Sequence, residues 1–148
     1  MARPPSKKHR ERVGRAIVER LRAEGHQALY AGGYVRDMLL GRDDPGDIDI
    51  ATSAKPAQVR KIFRHVIRVG EHYGVLIVVE ERIPFEVATF RSDVGSRDGR
   101  HPESVVFADA RGDAMRRDFT INGMFYNPLT GDVLDHVGGR DDLQARRV

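Results

Sequence analysis

Apolar positions first recur at helical spacing after Ser6, where Val13, Ala16, Ile17 and Leu21 fall on one stripe that Gly25 closes. A short apolar run, Ala28 to Ala31, predicts a strand, and Gly32-Gly33 then leads into a helix over Tyr34 to Leu40 that stops at Gly41. Arg42 to Gly46 holds acids, a proline and a glycine and reads as a loop. Asp47 to Ala51 alternates polar with apolar residues, the period of a half-buried strand. Cap and proline signals open a helix over Ser53 to Phe63. Two strands, Val75 to Val79 and Phe85 to Phe90, are joined by the polar turn Glu80 to Arg82. Arg91 to Ser104 has little apolar content and predicts a mobile loop, functional or disordered. Asp109 to Met124 is compatible with a helix, and Asp132 to Val137 with a last strand. Asp141 to Val148 starts like a helix and runs about two turns without a cap, so the expectation is that the natural polypeptide continues beyond it.

Composition narrows the classes. The 148 residues fit one domain. No apolar run approaches the ~20 residues of a membrane span, and the basic N-terminus lacks the apolar core of a secretory signal. Cysteine is absent, which removes disulfides, thiolate zinc sites and cysteine nucleophiles. The expectation is a soluble, cytoplasmic protein. Its net charge of +3 is concentrated early: before Gly25 there are eight basic residues against three acidic ones. A solvated helix face and a nucleic-acid contact explain that stripe equally well.

Asp47-Ile48-Asp49-Ile50 carries the most chemistry. On a strand, the two aspartates project to one face and the isoleucines to the other. Aspartate is depleted in strands, and two like charges on one pleat repel, so a divalent cation would compensate them. Magnesium suits a site of few carboxylates completed by water and substrate phosphates. Backbone capping by the two aspartates is the competing reading. Gly32-Gly33 precedes a helix, where bare backbone N–H groups can approach an anion, although a plain turn also uses such a pair. Arg36 stands near the first turn of that helix and could fork onto a phosphate. Thirteen residues, Tyr34 to Gly46, separate the glycines from the acids. A phosphate cradle followed by paired acids describes a metal-dependent nucleotide site.

The stretches LYAGGYVRDMLLG, DIDIATSAKP, EVATFR, RHPESV, RRDFTING and HVGGRDDL extend this pattern from Ala28 to the C-terminus. In that order they resemble the head domain of class II CCA-adding enzymes and bacterial poly(A) polymerases, within the DNA polymerase beta-type nucleotidyltransferase superfamily. The resemblance implies an α+β fold with a small mixed or antiparallel sheet flanked by helices. It divides the chain into a basic N-terminal segment and helix (1–25), a nucleotidyltransferase head (26–139) and the start of a neck helix (140–148).

It also implies roles. Asp47 and Asp49 would hold two magnesium ions, with Glu86 as the third carboxylate; taken alone, a strand glutamate is ordinarily exposed surface. Gly32, Gly33, Arg36 and Arg117 would bind the nucleotide, and Asn122 would fix the sugar or orient its segment. Asp37 would orient Arg36 or the backbone around the glycines. Arg116 reads as structural as readily as functional, and Asp118 as a helix cap. His65, His72, His101 and His136 show no ligand spacing. The implied reaction transfers a nucleoside monophosphate from CTP or ATP to an RNA 3′-hydroxyl, that of tRNA in CCA addition, with release of pyrophosphate. GEHYGVLIVV and RHPESV look more like the CCA-adding subgroup. Poly(A) addition and a nucleotide- or RNA-binding module without turnover are the alternatives. The acidic–arginine motif that selects the base in this family lies in the neck, and no such motif precedes Val148, so an isolated head is expected to be weakly active or inactive.

Overall fold

The computed structural model describes residues 5–94, 104–107, 110, 113 and 123–135. Helix α1 (Lys7–Ala23) starts because the Ser6 hydroxyl accepts the His9 N–H at 3.1 Å. It ends in a left-handed glycine motif: Gly25, at φ +88°, donates to the Arg22 carbonyl, and His26 donates to that of Leu21. Val13, Ile17, Val18 and Leu21 on α1 are buried, each worth about 1.5–3 kcal/mol relative to exposure.

Strand β1 (Ala28–Ala31) leads through Gly32 into helix α2 (Gly33–Leu39). Strand β2 (Asp49–Thr52) is followed by helix α3 (Pro56–Ile62). The helix begins three residues later than the sequence predicts, because Pro56 takes its first turn and the Gln58 side chain caps the Lys55 N–H at 2.8 Å. Strands β3 (Val66–Gly70) and β4 (Val75–Glu80) flank a single 3-10 turn, Glu71–Tyr73. Strand β5 (Ile83–Thr89) forms a tight hairpin with β4, in which Glu81 and Arg82 both adopt positive φ. Strands β8 (Met124–Tyr126) and β9 (Val133–Asp135) form a second hairpin.

These strands make one seven-stranded sheet in the order β3-β4-β5-β2-β1-β8-β9, antiparallel except for the parallel pair β2–β5. The mixed sheet with helices agrees with the expected α+β class. Its main core, on the face packed by the helices, joins Val13, Ile17 and Leu21 to Tyr30, Ile48, Ile50, Phe85 and Val87. The other face carries a smaller cluster of Leu29, Ala31, Ala51, Phe90, Ala110 and Phe125.

Four strands were not expected from the sequence. β3 and β8 are edge or near-edge strands of five and three residues, and β3 has no fully buried position, so it shows no alternation of buried and exposed residues. The segment expected to be a mobile loop starts with strand β6 (Arg91–Val94), which pairs antiparallel with β7 (Ser104–Phe107). Antiparallel backbone pairing between the two segments orders these eight residues; residues 95–103 lie outside those described. So do most of the expected helix over Asp109 to Met124 and the terminal one from Asp141; Met124 itself is in β8.

Candidate active site

The second core cluster defines the face on which the acids stand. Ile48 and Ile50 enter the main core while Ala51 enters the smaller one, so Asp49, alternating with Ile50, belongs to the face of Ala51. In β5, Phe85 and Val87 enter the main core, which leaves Glu86 on that same opposite face. The parallel ladder makes Asp49 and Glu86 register partners. Continued outward, that row reads Ile67, Ile77, Glu86, Asp49, Ala31, Phe125 and Leu134.

The register is held at its far end by threonines. Thr52 and Thr89 are partners, both buried. The Thr52 hydroxyl donates to the Gln27 carbonyl and accepts the Ala54 N–H, while the Thr89 hydroxyl donates to the Ala54 carbonyl at 2.6 Å. Two buried hydroxyls that must be satisfied thus lock the ends of β2 and β5, and the carboxylates follow.

Asp47 departs from its expected place on the strand. The ladder starts at Asp49, and Asp47 lies in the bend before it, exposed. The cause is at β1, whose last paired residue, Ala31, faces Asp49. The chain then turns at Gly32 with φ +69° and ψ −145°, a combination that glycine alone adopts without strain, so that β1 does not extend to pair with Ile48 or Asp47.

The same turn places Gly32 next to the row containing Asp49. Gly33 starts α2, where an added Cβ would lie 3.2 Å from Arg36 Nη2, so the guanidinium folds back over the glycine backbone. Arg36 Nε sits 3.0 Å from Asp37 Oδ1, and Arg42 Nε 3.7 Å from the same oxygen. Asp37 therefore contacts Arg36 in the way a side chain that orients the guanidinium would. The structure brings Gly32, Gly33, Arg36, Asp49 and Glu86 to one end of the β1–β2–β5 unit. Arg117 and Asn122 lie outside the described residues, as do Arg116 and Asp118.

Among the described residues, no group of three histidine, aspartate or glutamate side chains is placed to hold a metal ion. The donors present still fit magnesium, which takes one or two protein carboxylates and completes its shell with water and phosphate oxygens. Asp49 and Glu86 are such a pair, and Asp47 stands two residues away. One residue with a clear local role was missed by the sequence: Asp113, buried, accepts the Arg91 N–H at 3.1 Å where β6 begins. Its neighbours Gly112 and Ala114 give no pattern from which burial could be read.

Known proteins resemble this chain in sequence and in fold. The family model described as Poly A polymerase head domain matches residues 28–148. A CCA-adding enzyme from Bacillus pumilus (strain SAFR-032) is 42% identical over 133 residues, covering 89% of this chain and 33% of that protein. The crystal structure of Bacillus stearothermophilus CCA-adding enzyme in complex with CTP superposes with a TM-score of 0.79 at 39% identity, over 89% of this chain and 31% of that one. A tRNA nucleotidyltransferase complexed with a primer tRNA and an incoming ATP analog superposes with a TM-score of 0.63 at 28% identity, over 86% of this chain and 36% of that one. The chain spans about a third of the length of the curated relatives it matches. Because the family model covers the whole sheet and the turn that serves its acids, the chain belongs to the poly(A) polymerase head domain family.

Proposed function

We propose that this chain is the catalytic head of a CCA-adding tRNA nucleotidyltransferase, which transfers CMP and AMP from CTP and ATP to a tRNA 3′ end. The observation that carries the reading is the register pairing of Asp49 with Glu86 beside the Gly32 turn. The 42% identical CCA-adding enzyme supports CCA addition as the reaction; of the superposable structures, one CCA-adding enzyme is in complex with CTP and one tRNA nucleotidyltransferase with a primer tRNA.

In this reading Asp47, Asp49 and Glu86 hold magnesium. Two bound magnesium ions would lower the pKa of the attacking 3′-hydroxyl and neutralise charge on the pyrophosphate that leaves. The chain's own residues position the reactants. The backbone at Gly32 and Gly33 lets a triphosphate approach without meeting a Cβ, and the Arg36 guanidinium, held by Asp37, pairs with a phosphate oxygen. Arg117 adds a second guanidinium, and Asn122 fixes the sugar or orients its segment. The RNA 3′ oxygen forms a bond to the α-phosphorus as the bond to pyrophosphate breaks, and the hydroxyl proton goes to solvent. No side-chain nucleophile is needed, since positioning and charge stabilisation carry such transfers.

The test measures magnesium-dependent binding of CTP to this chain, and transfer of label from α-labelled CTP to tRNA lacking its terminal CCA. Binding that disappears in Asp49→Asn and Glu86→Gln, with the fold retained, is the expected result. CTP binding indifferent to magnesium and to both substitutions would overturn it. Poly(A) addition remains the second reading because the matching family model carries that description. ATP incorporated repeatedly onto RNA of any sequence, with CTP refused, would favour it.

A further inference from the structure

Asp47 stands off the β1–β2 ladder, so strand pairing does not fix the first of the proposed magnesium ligands. The chain holds it from both sides instead. After it, Ile48 is buried in the main core. Before it, the Gly46 N–H donates to Asp44 Oδ1 at 3.0 Å, the turn that aspartate makes with the backbone two residues on. The same oxygen accepts from Arg10 Nη2 of α1, 34 positions away in sequence. The Arg10 side chain is 14% exposed and that of Asp44 57%, so the helix carries the better fixed member of the pair. Helix α1 is itself seated on the sheet through Val13, Ile17, Val18 and Leu21. A continuous path thus runs from the packed helix, through one guanidinium and one carboxylate, to the residue immediately before Asp47.

We propose that Arg10 is a positioning residue for the metal site: through Asp44 it fixes the loop that ends at Gly46, and with it the Asp47 carboxylate that joins Asp49 and Glu86 on magnesium. The inference rests on the magnesium site proposed above and adds to it a residue outside positions 28–148, those that the family model matches. Magnesium demands near-ideal octahedral geometry, so a ligand on a bend outside the ladder has to be held before the ion arrives. As a stabilising ion pair the contact counts for little, because Asp44 is largely exposed. Its effect is on where Gly46 and Asp47 stand. Charge alone argues in the opposite direction, since removing a nearby cation favours a bound cation. Positioning therefore has its own sign: loss of the Arg10 charge weakens metal binding. Lys7, one turn earlier on α1, also attracts Asp44, so removal of Asp44 itself releases the loop from both cations.

The experiment titrates this chain with manganese(II), which takes oxygen ligands in the same octahedral geometry as magnesium, and follows the paramagnetic resonance signal of the free ion. Amide exchange at Gly46 in EDTA reads the anchor itself. Arg10→Ala and Asp44→Ala are each expected to weaken manganese binding about tenfold, the scale of losing a residue that supports a ligand. Both should speed exchange at Gly46 and leave the melting temperature nearly unchanged. The double variant should bind no more weakly than Asp44→Ala alone, because the two residues act as one unit. Arg10→Lys, which keeps a donor, should recover part of the affinity. Glu86→Gln separates the two readings. Manganese binding that is lost in Glu86→Gln but equal or tighter in Arg10→Ala would overturn the role of Arg10 and leave the metal site standing. Weakened binding in Arg10→Ala with Gly46 still protected would also overturn it. A wild-type chain without saturable manganese binding would overturn both.

Discussion

Asp49 on β2 and Glu86 on β5 are register partners in the one parallel pair of the seven-stranded sheet, so two carboxylates share a face next to the Gly32 turn. Antiparallel pairing would have satisfied the backbone equally well. The parallel arrangement makes both acids approach the same end of the sheet from strands that run the same way. A local cost accompanies the arrangement, since like charges placed side by side in a ladder destabilise it.

That cost gives the first prediction. Without divalent cation, Glu86→Gln should raise unfolding stability by about 0.2–1 kcal/mol, the scale of one unfavourable cross-strand pair. Added magnesium should stabilise the wild-type chain by mass action and the variant much less. Thermal unfolding with EDTA and with magnesium measures both effects. An equal magnesium response would remove Glu86 from the proposed ligand set.

Gly32→Ala places a methyl group where the backbone adopts φ +69° and ψ −145°. The expected loss is about 1–3 kcal/mol, read by urea denaturation. Because Ala31 pairs with Asp49 immediately before this turn, nucleotide affinity should fall together with stability. A variant as stable as the wild type would show that the turn relaxes into an ordinary conformation.

Gly14 lies on the buried face of α1, and a Cβ there would meet the Tyr30 hydroxyl at 3.1 Å and side-chain carbons of Ile48 and Phe85 at 3.2 Å. Helix propensity alone favours a larger residue than glycine by up to about 1 kcal/mol. Overpacking costs about 1–3 kcal/mol and wins for a branched side chain. Gly14→Val should therefore destabilise the chain, and an unchanged melting temperature would mean that α1 can lift off the sheet.

Asp113→Ala removes the buried acceptor of the Arg91 N–H. An unsatisfied buried donor costs about 1–3 kcal/mol. Asp113→Asn, which keeps an acceptor oxygen, should lose less. Amide exchange at Arg91, measured in both variants, separates loss of this bond from general loosening.

The Glu81 carboxyl, at the tip of the β4–β5 hairpin, is held below its ordinary pKa by hydrogen bonds from Arg12 and then His9 of α1. A depressed folded-state value means that the contact contributes fully above the ordinary carboxylate range and is lost as pH falls through the lowered value. Arg12→Ala should move the Glu81 midpoint upward in a carboxyl titration followed by magnetic resonance. Salt should shrink the shift, since the pair is exposed.

Local pattern alone determined much of the molecule. Ser6 and Gly25 bracket α1 because a hydroxyl cap and a left-handed glycine act within a few residues of themselves. Ala28–Ala31 reads directly as β1, and Glu80 to Arg82 as a turn, for the same reason. The motif residues between Gly32 and Glu86 pointed to a nucleotidyltransferase head, and the family match over residues 28–148 agrees. Tertiary structure decided what depends on partners distant in sequence. Asp49 starts its strand, and Asp47 does not, because β1 turns away at Gly32. β3, β6, β7 and β8 are strands because another strand satisfies their backbone groups, a condition no short apolar pattern encodes. Above all, 37 positions separate Asp49 from Glu86, and only the parallel ladder makes them neighbours. Hydrogen-bond register is a property of two strands together, so neither strand's residues could specify it alone.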